Sequence, residues 1–123
     1  MFAVEGKSGM VQPARILVVE DSLLVAMSLE HALVDAGYAV TVADTLAAAR
    51  TVMVEDAFCA ALVDFHLPDG DSLALCGELR TAGTRVALVT GIDRSSAGPL
   101  AEFDEIFYKP VEERALLKWL SKL

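Results

Sequence analysis

The chain has 123 residues, of which 54% are hydrophobic and 23% charged, and its formal net charge is −8. These values predict one folded domain of the usual size, roughly 100–200 residues, and exclude a disordered chain. They also disfavour a nucleic-acid surface, because phosphate binding needs clustered Lys and Arg and the ten basic residues are scattered.

The N-terminal segment has a different composition from the rest of the chain. Residues 1–13 mix Gly, Ser, Lys and Pro without periodicity, which predicts a flexible N-terminal tail, and 14–123 is expected to form the domain. Neither a signal peptide nor an apolar run of the ~20 residues that span a bilayer is found. We therefore expect a cytoplasmic protein with no membrane partner and, at this length, no output domain.

Short apolar runs alternate with helical segments from Arg15 onward. The predicted strands are 15–19, 39–43, 60–64, 86–89 and 105–108, and the predicted helices are 22–36, 45–56, 72–82 and 111–122. Several strands are almost wholly apolar, as in a parallel sheet covered on both faces. The pattern predicts a doubly wound α/β domain with functional groups at the carboxyl ends of its strands.

Acidic residues follow two of these strands. Glu20 and Asp21 come after the first strand, and Asp64 ends the third. If the two strands are neighbours, their ends converge, and three carboxylates in one crevice either take up protons or share a divalent cation. An all-oxygen cluster suits Mg²⁺, which retains waters that a phosphate can replace.

A hydroxyl and an ammonium follow two further strands. Thr90 closes the fourth strand and Lys109 the fifth, so both are expected to face the same crevice. A phosphoryl group on Asp64 has equatorial oxygens that a hydroxyl donor and a cation can bind. The joint pattern is more specific than any of its parts.

The chain resembles, over residues 15–123, the receiver domain of two-component response regulators. The resemblance lies in Glu20-Asp21, Asp64, Leu67-Pro68 with Gly70, Thr90-Gly91 and Lys109-Pro110. It implies a flavodoxin-like (βα)5 fold and a regulatory phosphoacceptor rather than an enzyme for an external substrate.

The same resemblance implies a role for each matching residue. Asp64 would be the phosphoacceptor, and Lys109 would pair with it or with its phosphoryl group. Mg²⁺ would be held by Glu20, Asp21, Asp64 and the backbone carbonyl of His66. Thr90 would bond a phosphoryl oxygen and act as the switch. The phosphoryl donor would be a histidine kinase or a histidine phosphotransfer protein, and the output an unknown downstream protein, with homodimerisation left open.

Two features depart from the family pattern. Receivers usually carry Tyr or Phe three residues before the lysine, where this chain has Ile106, which puts the usual coupling of that aromatic to the switch hydroxyl in doubt. Gly91, Gly98 and Pro99 lie between the last two strands and predict a short or disordered fourth helix. The stretch 86–91 also loosely resembles alphaproteobacterial single-domain receivers, although their Pro-Phe and Phe-Ala elements are absent.

Two other functions remain as alternatives. A phosphohydrolase with an aspartyl nucleophile would need an acid two residues after that nucleophile, where His66 stands. An inert receiver-like binding module is compatible with Ile106 and a short fourth helix, but the full set of acids, Thr90 and Lys109 opposes it. A free-standing regulator and a domain cut from a hybrid kinase both fit the sequence.

Overall fold

The computed structural model describes residues 3–5, 11–91 and 105–123. Five strands form one parallel sheet: β3 (Arg15–Val19), β4 (Ala39–Ala43), β5 (Ala60–Asp64), β8 (Arg85–Thr90) and β9 (Ile106–Tyr108). The four described helices are α1 (Leu23–Asp35), α2 (Leu46–Glu55), α3 (Leu73–Thr81) and α4 (Glu113–Leu120). Every strand and helix predicted within these residues is present, with bounds that differ by at most two residues.

The order of strands across the sheet is β4-β3-β5-β8-β9, and all neighbours run parallel. The predicted doubly wound, flavodoxin-like architecture is thus confirmed. The predicted short or disordered fourth helix lies within 92–104, outside the described residues.

Two hydrophobic cores cover the two faces of the sheet. Because side chains alternate along a strand, Leu17 and Val19 of β3 pack on one face, while Ile16 and Val18 pack on the other. The first core includes residues of α2 and α3, and the second includes residues of α1 and α4. All five residues of β5 are buried, as a central strand between two helix layers requires.

The helices begin and end at residues that the sequence indicates. Ser22 caps α1 by accepting the Val25 N–H at 3.4 Å, and Thr45 caps α2 by accepting the Ala48 N–H at 3.0 Å. Gly37 and Gly83 follow α1 and α3 with φ of 98° and 88°, a region that glycine adopts without steric cost.

Two short hairpins lie outside the main sheet. In the N-terminal segment, β1 (Ala3–Glu5) pairs antiparallel with β2 (Val11–Pro13), a pairing that the composition of this segment did not indicate. Isolated two-stranded hairpins are marginally stable in water, so the flexibility of residues 1–13 stays a prediction. The second hairpin directly follows β5 and pairs β6 (His66–Leu67) with β7 (Gly70–Asp71).

None of the helices in the described ranges has the length and apolar character needed to cross a membrane.

Candidate functional site

β3 and β5 lie side by side in the sheet, and the connections that follow them leave on opposite faces. The strand order therefore reverses between these two strands. In open parallel sheets this reversal opens a crevice at the carboxyl ends of the two strands. Glu20 and Asp21 directly follow β3, and Asp64 is the last residue of β5. The fold therefore brings the acids of two separate sequence segments into one crevice.

The three acids form a compact cluster. Glu20, Asp21 and Asp64 each offer a carboxylate oxygen within 4.8 Å of the others. Glu20 and Asp64 are buried, whereas Asp21 is exposed at the rim. The Ser22 N–H donates to Glu20 Oε2 at 3.1 Å and helps to hold that carboxylate in place.

Lys109 is the cation of the crevice. Its Nζ lies 2.8 Å from Glu20 Oε1 and 3.1 Å from Asp64 Oδ2. Partial burial alone would lower the pKa of Lys109, but the contacts with Glu20 and Asp64 outweigh it and raise that pKa above its usual value. Lys109 thus stays charged and compensates one of the three carboxylates.

The residues fit a divalent cation on two grounds. Among the residues that the structure describes, three carboxylates face a single ammonium, so the crevice holds an excess of negative charge that a doubly charged ion would balance. In addition, Glu20 Oε1 is buried and accepts no hydrogen bond of good geometry, although Lys109 Nζ lies close to it. The oxygen-only donor set, part buried and part open to water, suits Mg²⁺ better than a softer metal.

Thr90 and His66 flank this cluster. Thr90 is the last residue of β8, the strand next to β5 in the sheet. Its side chain is buried, and its carbonyl accepts the Lys109 N–H at 2.8 Å. His66 begins β6, two residues after Asp64; its side chain is exposed and its ring meets that of Phe65 edge-on at 4.5 Å between centroids. The six site residues predicted from the sequence therefore lie at or just beyond the carboxyl ends of β3, β5, β8 and β9.

The structure adds two contacts that the sequence analysis missed. Lys109 was expected to pair with Asp64, yet its shorter contact is with Glu20. Asp69, which the sequence analysis did not assign to the site, accepts two backbone N–H groups of α2. Neither contact has a local sequence signal, because the partners are 89 and about 22 residues apart.

A sequence model of the response regulator receiver domain matches residues 16–121, nearly all of the described sheet and helices. The chain belongs to this family. The receiver domain is similar to the response regulator MprA of Mycolicibacterium vanbaalenii, with 33% identity over 90% of this chain. It is 34% identical, over the same share, to the TorCAD operon transcriptional regulatory protein TorR of Escherichia coli K12. The chain spans about half the length (50%) of both relatives.

Solved structures agree with this assignment. The crystal structure of the TorR receiver domain aligns with a TM-score of 0.76 at 31% identity, covering 89% of this chain and 95% of that one. A CheY-like receiver domain protein from Methanospirillum hungatei aligns with a TM-score of 0.78 at 28% identity, covering 90% and 93%. The chain is thus the receiver domain of a two-component response regulator.

Position 106 of this receiver domain holds an aliphatic side chain. Ile106 and Tyr108 are half-buried and pack against the core on the α2 and α3 face, while Phe107 is buried in the opposite core. This is the alternation of side chains that an extended strand imposes.

Proposed function

We propose that this receiver domain accepts a phosphoryl group on Asp64, with Mg²⁺, and changes conformation to regulate a partner protein. The observation that carries the proposal is the position of the Asp64 carboxylate. It lies 3.1 Å from the Lys109 ammonium and within 4.8 Å of the acids that would hold a cation. The Lys109 ammonium and a cation held by these acids would place positive charge around the oxygens of a phosphoryl group attached there, which is the main requirement of phosphoryl transfer.

The bonds that form and break in the transfer step belong only to the donor and Asp64. A carboxylate oxygen of Asp64 attacks the phosphorus of a phosphohistidine, the bond between phosphorus and the imidazole nitrogen breaks, and the released imidazole takes up a proton from solvent. Lys109, held near Asp64 by its contact with Glu20, compensates the charge on the transferred oxygens. Bound Mg²⁺ would supply further positive charge to those oxygens.

The ligands proposed for Mg²⁺ are Glu20, Asp21, Asp64 and the backbone carbonyl of His66. Receiver domains bind Mg²⁺ at an acidic site, and the acidic cluster described here has the matching composition. Exposed Asp21 leaves the crevice open to water and to the donor.

Thr90 is the proposed switch residue. It ends the strand beside β5, and its carbonyl is bonded to the backbone N–H of Lys109, so a shift of Thr90 toward a new phosphoryl oxygen also displaces the chain at Lys109. Ile106 is less bulky than the usual aromatic residue at this position. We therefore expect phosphorylation to change the conformation of the β9 surface less than in other receivers.

The proposed donor is a histidine kinase or a histidine phosphotransfer protein. The first turns of α1, directly after Asp21, expose Leu23, Leu24 and Met27 by 72%, 81% and 55%. Exposed apolar groups beside a reactive site favour a protein donor over a small molecule. The proposal also includes a downstream protein as the regulated partner and a cytoplasmic location.

Intact-protein mass spectrometry after incubation with acetyl phosphate tests the proposal. We expect a gain of about 80 Da that requires Mg²⁺ and is absent in Asp64→Asn. Asp56→Asn is the matched control and should gain the same mass. Asp56 is an exposed acid that precedes β5, at the opposite end of the strands from Asp64. Folded wild-type protein that binds Mg²⁺ without gaining mass from acetyl phosphate or a phosphohistidine donor would favour the inert binding module.

The hydrolase alternative has less support. The residue two positions after Asp64 is His66, whose exposed side chain packs against Phe65, and it replaces the acid that such an enzyme needs.

A further inference from the structure

The N-terminus of α2 receives a carboxylate from a distant part of the chain. The N–H groups of Leu46 and Ala47 donate to Asp69 Oδ1 and Oδ2 at 2.9 and 3.1 Å. Thr45 Oγ1 accepts the next one, from Ala48. Since α2 has no acidic residue in its own first turn, Asp69 supplies the negative charge that the helix dipole favours there.

Asp69 lies at the tip of the hairpin that directly follows Asp64. The pairing of His66 with Asp71 and of Leu67 with Gly70 leaves Pro68 and Asp69 as the two-residue turn. Strands of two residues make too few backbone hydrogen bonds to hold a hairpin in one place. Its position therefore depends on contacts with the rest of the domain.

Apolar packing also connects this hairpin to α2. The buried side chain of Leu67 belongs to the same core cluster as Leu46. Gly70 has a φ of 138°, and a Cβ built there would lie 3.5 Å from Leu46 Cδ1, so the hairpin backbone runs directly over Leu46. The Asp69 carboxylate adds the only directional contact among those described between the hairpin and α2.

An ion pair extends the connection to α3. Arg50, one turn after Leu46, donates to both carboxylate oxygens of Glu78 at 3.0 and 2.7 Å. The hairpin, α2 and α3 are thus joined through polar contacts on the face of the sheet that also carries Ile106 and Tyr108.

We propose that Asp69 is a positioning residue for the metal site: by bonding to α2 it holds the β6–β7 hairpin, and with it the His66 backbone carbonyl, in a fixed place beyond the end of β5. This inference rests on the proposed function, because that carbonyl matters only if the cluster holds Mg²⁺. Asp69 itself stays outside the donor set.

The test compares Asp69→Ala and Asp69→Asn with Thr45→Ala. Thr45→Ala removes a different cap from the same end of α2 without touching the hairpin, so it separates helix stability from hairpin position. The two measurements are amide hydrogen exchange without metal and the Mg²⁺ Kd from an NMR titration.

Both Asp69→Ala and Thr45→Ala should speed exchange at the start of α2 by about tenfold, the usual range for a lost cap. Only the Asp69 variants should raise the Mg²⁺ Kd, by about three- to tenfold for Ala and less for Asn, which keeps one acceptor oxygen. Exchange in β5 should stay unchanged in all three, which establishes that the domain remains folded.

Two results would overturn the inference in distinguishable ways. If wild type binds Mg²⁺ and gains a phosphoryl group while the Asp69 variants keep the wild-type Kd, or share their Kd change with Thr45→Ala, the inference fails alone. If wild type neither binds Mg²⁺ nor gains the group, the proposed function fails together with it.

Discussion

Lys109 and Glu20 form an ion pair of 2.8 Å although their strands, β9 and β3, are separated in the sheet by β5 and β8. The lysine side chain therefore reaches across the end of β5, where it also meets Asp64 at 3.1 Å. One ammonium, just after β9, thus contacts the acid that follows β3 and the proposed phosphoacceptor at the end of β5. Its removal leaves two buried acids without a cation from the described part of the chain.

We expect Lys109→Met to destabilise the metal-free protein at neutral pH by about 1–3 kcal/mol, because an acid left unpaired in a buried site is costly. Mg²⁺ should restore part of the loss, since a bound divalent ion replaces the missing positive charge. Urea unfolding with and without Mg²⁺ measures both effects. Lys118→Met, at an exposed position of α4, is the control and should change neither. Equal stability of Lys109→Met and wild type without metal would contradict this reading.

Thr90→Val should leave phosphorylation of Asp64 intact but abolish the conformational response. Valine has nearly the shape of threonine and lacks the hydroxyl that would bond the phosphoryl group. NMR spectra recorded with a beryllofluoride mimic should therefore show smaller shifts at β9 than in wild type. Thr84→Val is the matched control: Thr84 is also buried, precedes β8, and its hydroxyl donates to the Phe58 carbonyl at 2.9 Å. Shifts of wild-type size in Thr90→Val would exclude this residue as the switch.

The pair formed by Arg50 and Glu78 predicts a pH dependence of stability. The hydrogen bond from Arg50 lowers the pKa of Glu78 below its usual value of 4.5. A lowered pKa means that the stabilisation is present above the unfolded-state pKa and is lost as the pH falls through the folded-state pKa.

Glu78→Gln should therefore lower the urea midpoint at pH 7 by about 0.2–0.5 M, a small change because both side chains are exposed and screened. As the pH falls below 4.5, the midpoints of variant and wild type should approach each other. Glu55→Gln at the end of α2 serves as the control for charge alone. A gap that stays constant as the pH falls from 7 to 3 would show that the ion pair is not its cause.

Cys76 should be nearly unreactive in the folded protein. Burial raises its pKa to about 11 from the usual 9.0, so at pH 8 about 100-fold less of it is thiolate than for an ordinary thiol. In Cys59→Ser, where Cys76 is the remaining cysteine, an aromatic disulfide reagent should react at least about 100-fold faster in urea than in buffer. Rapid reaction in buffer would mean that α3 opens readily.

Much of the fold follows from local sequence patterns. Apolar runs such as Ile16 to Val19 and the caps Ser22 and Thr45 predict strands and helices from neighbouring residues alone, and the structure confirms their bounds within two residues. The hairpin of β1 and β2 was not foreseen, because its three-residue strands are too short for a periodic signal. The grouping of Glu20, Asp21 and Asp64 was predictable only on the assumption that their strands are neighbours.

The sequence by itself determined which residues end each strand, because the alternation of apolar and polar side chains is local information. It thereby determined the chemical composition of the crevice. Only the tertiary structure decided which of these groups touch: Lys109 with Glu20, and Asp69 with the first turn of α2. Such contacts depend on strand order, sheet twist and the path of each loop, which join residues far apart in the chain and leave no periodic trace in it.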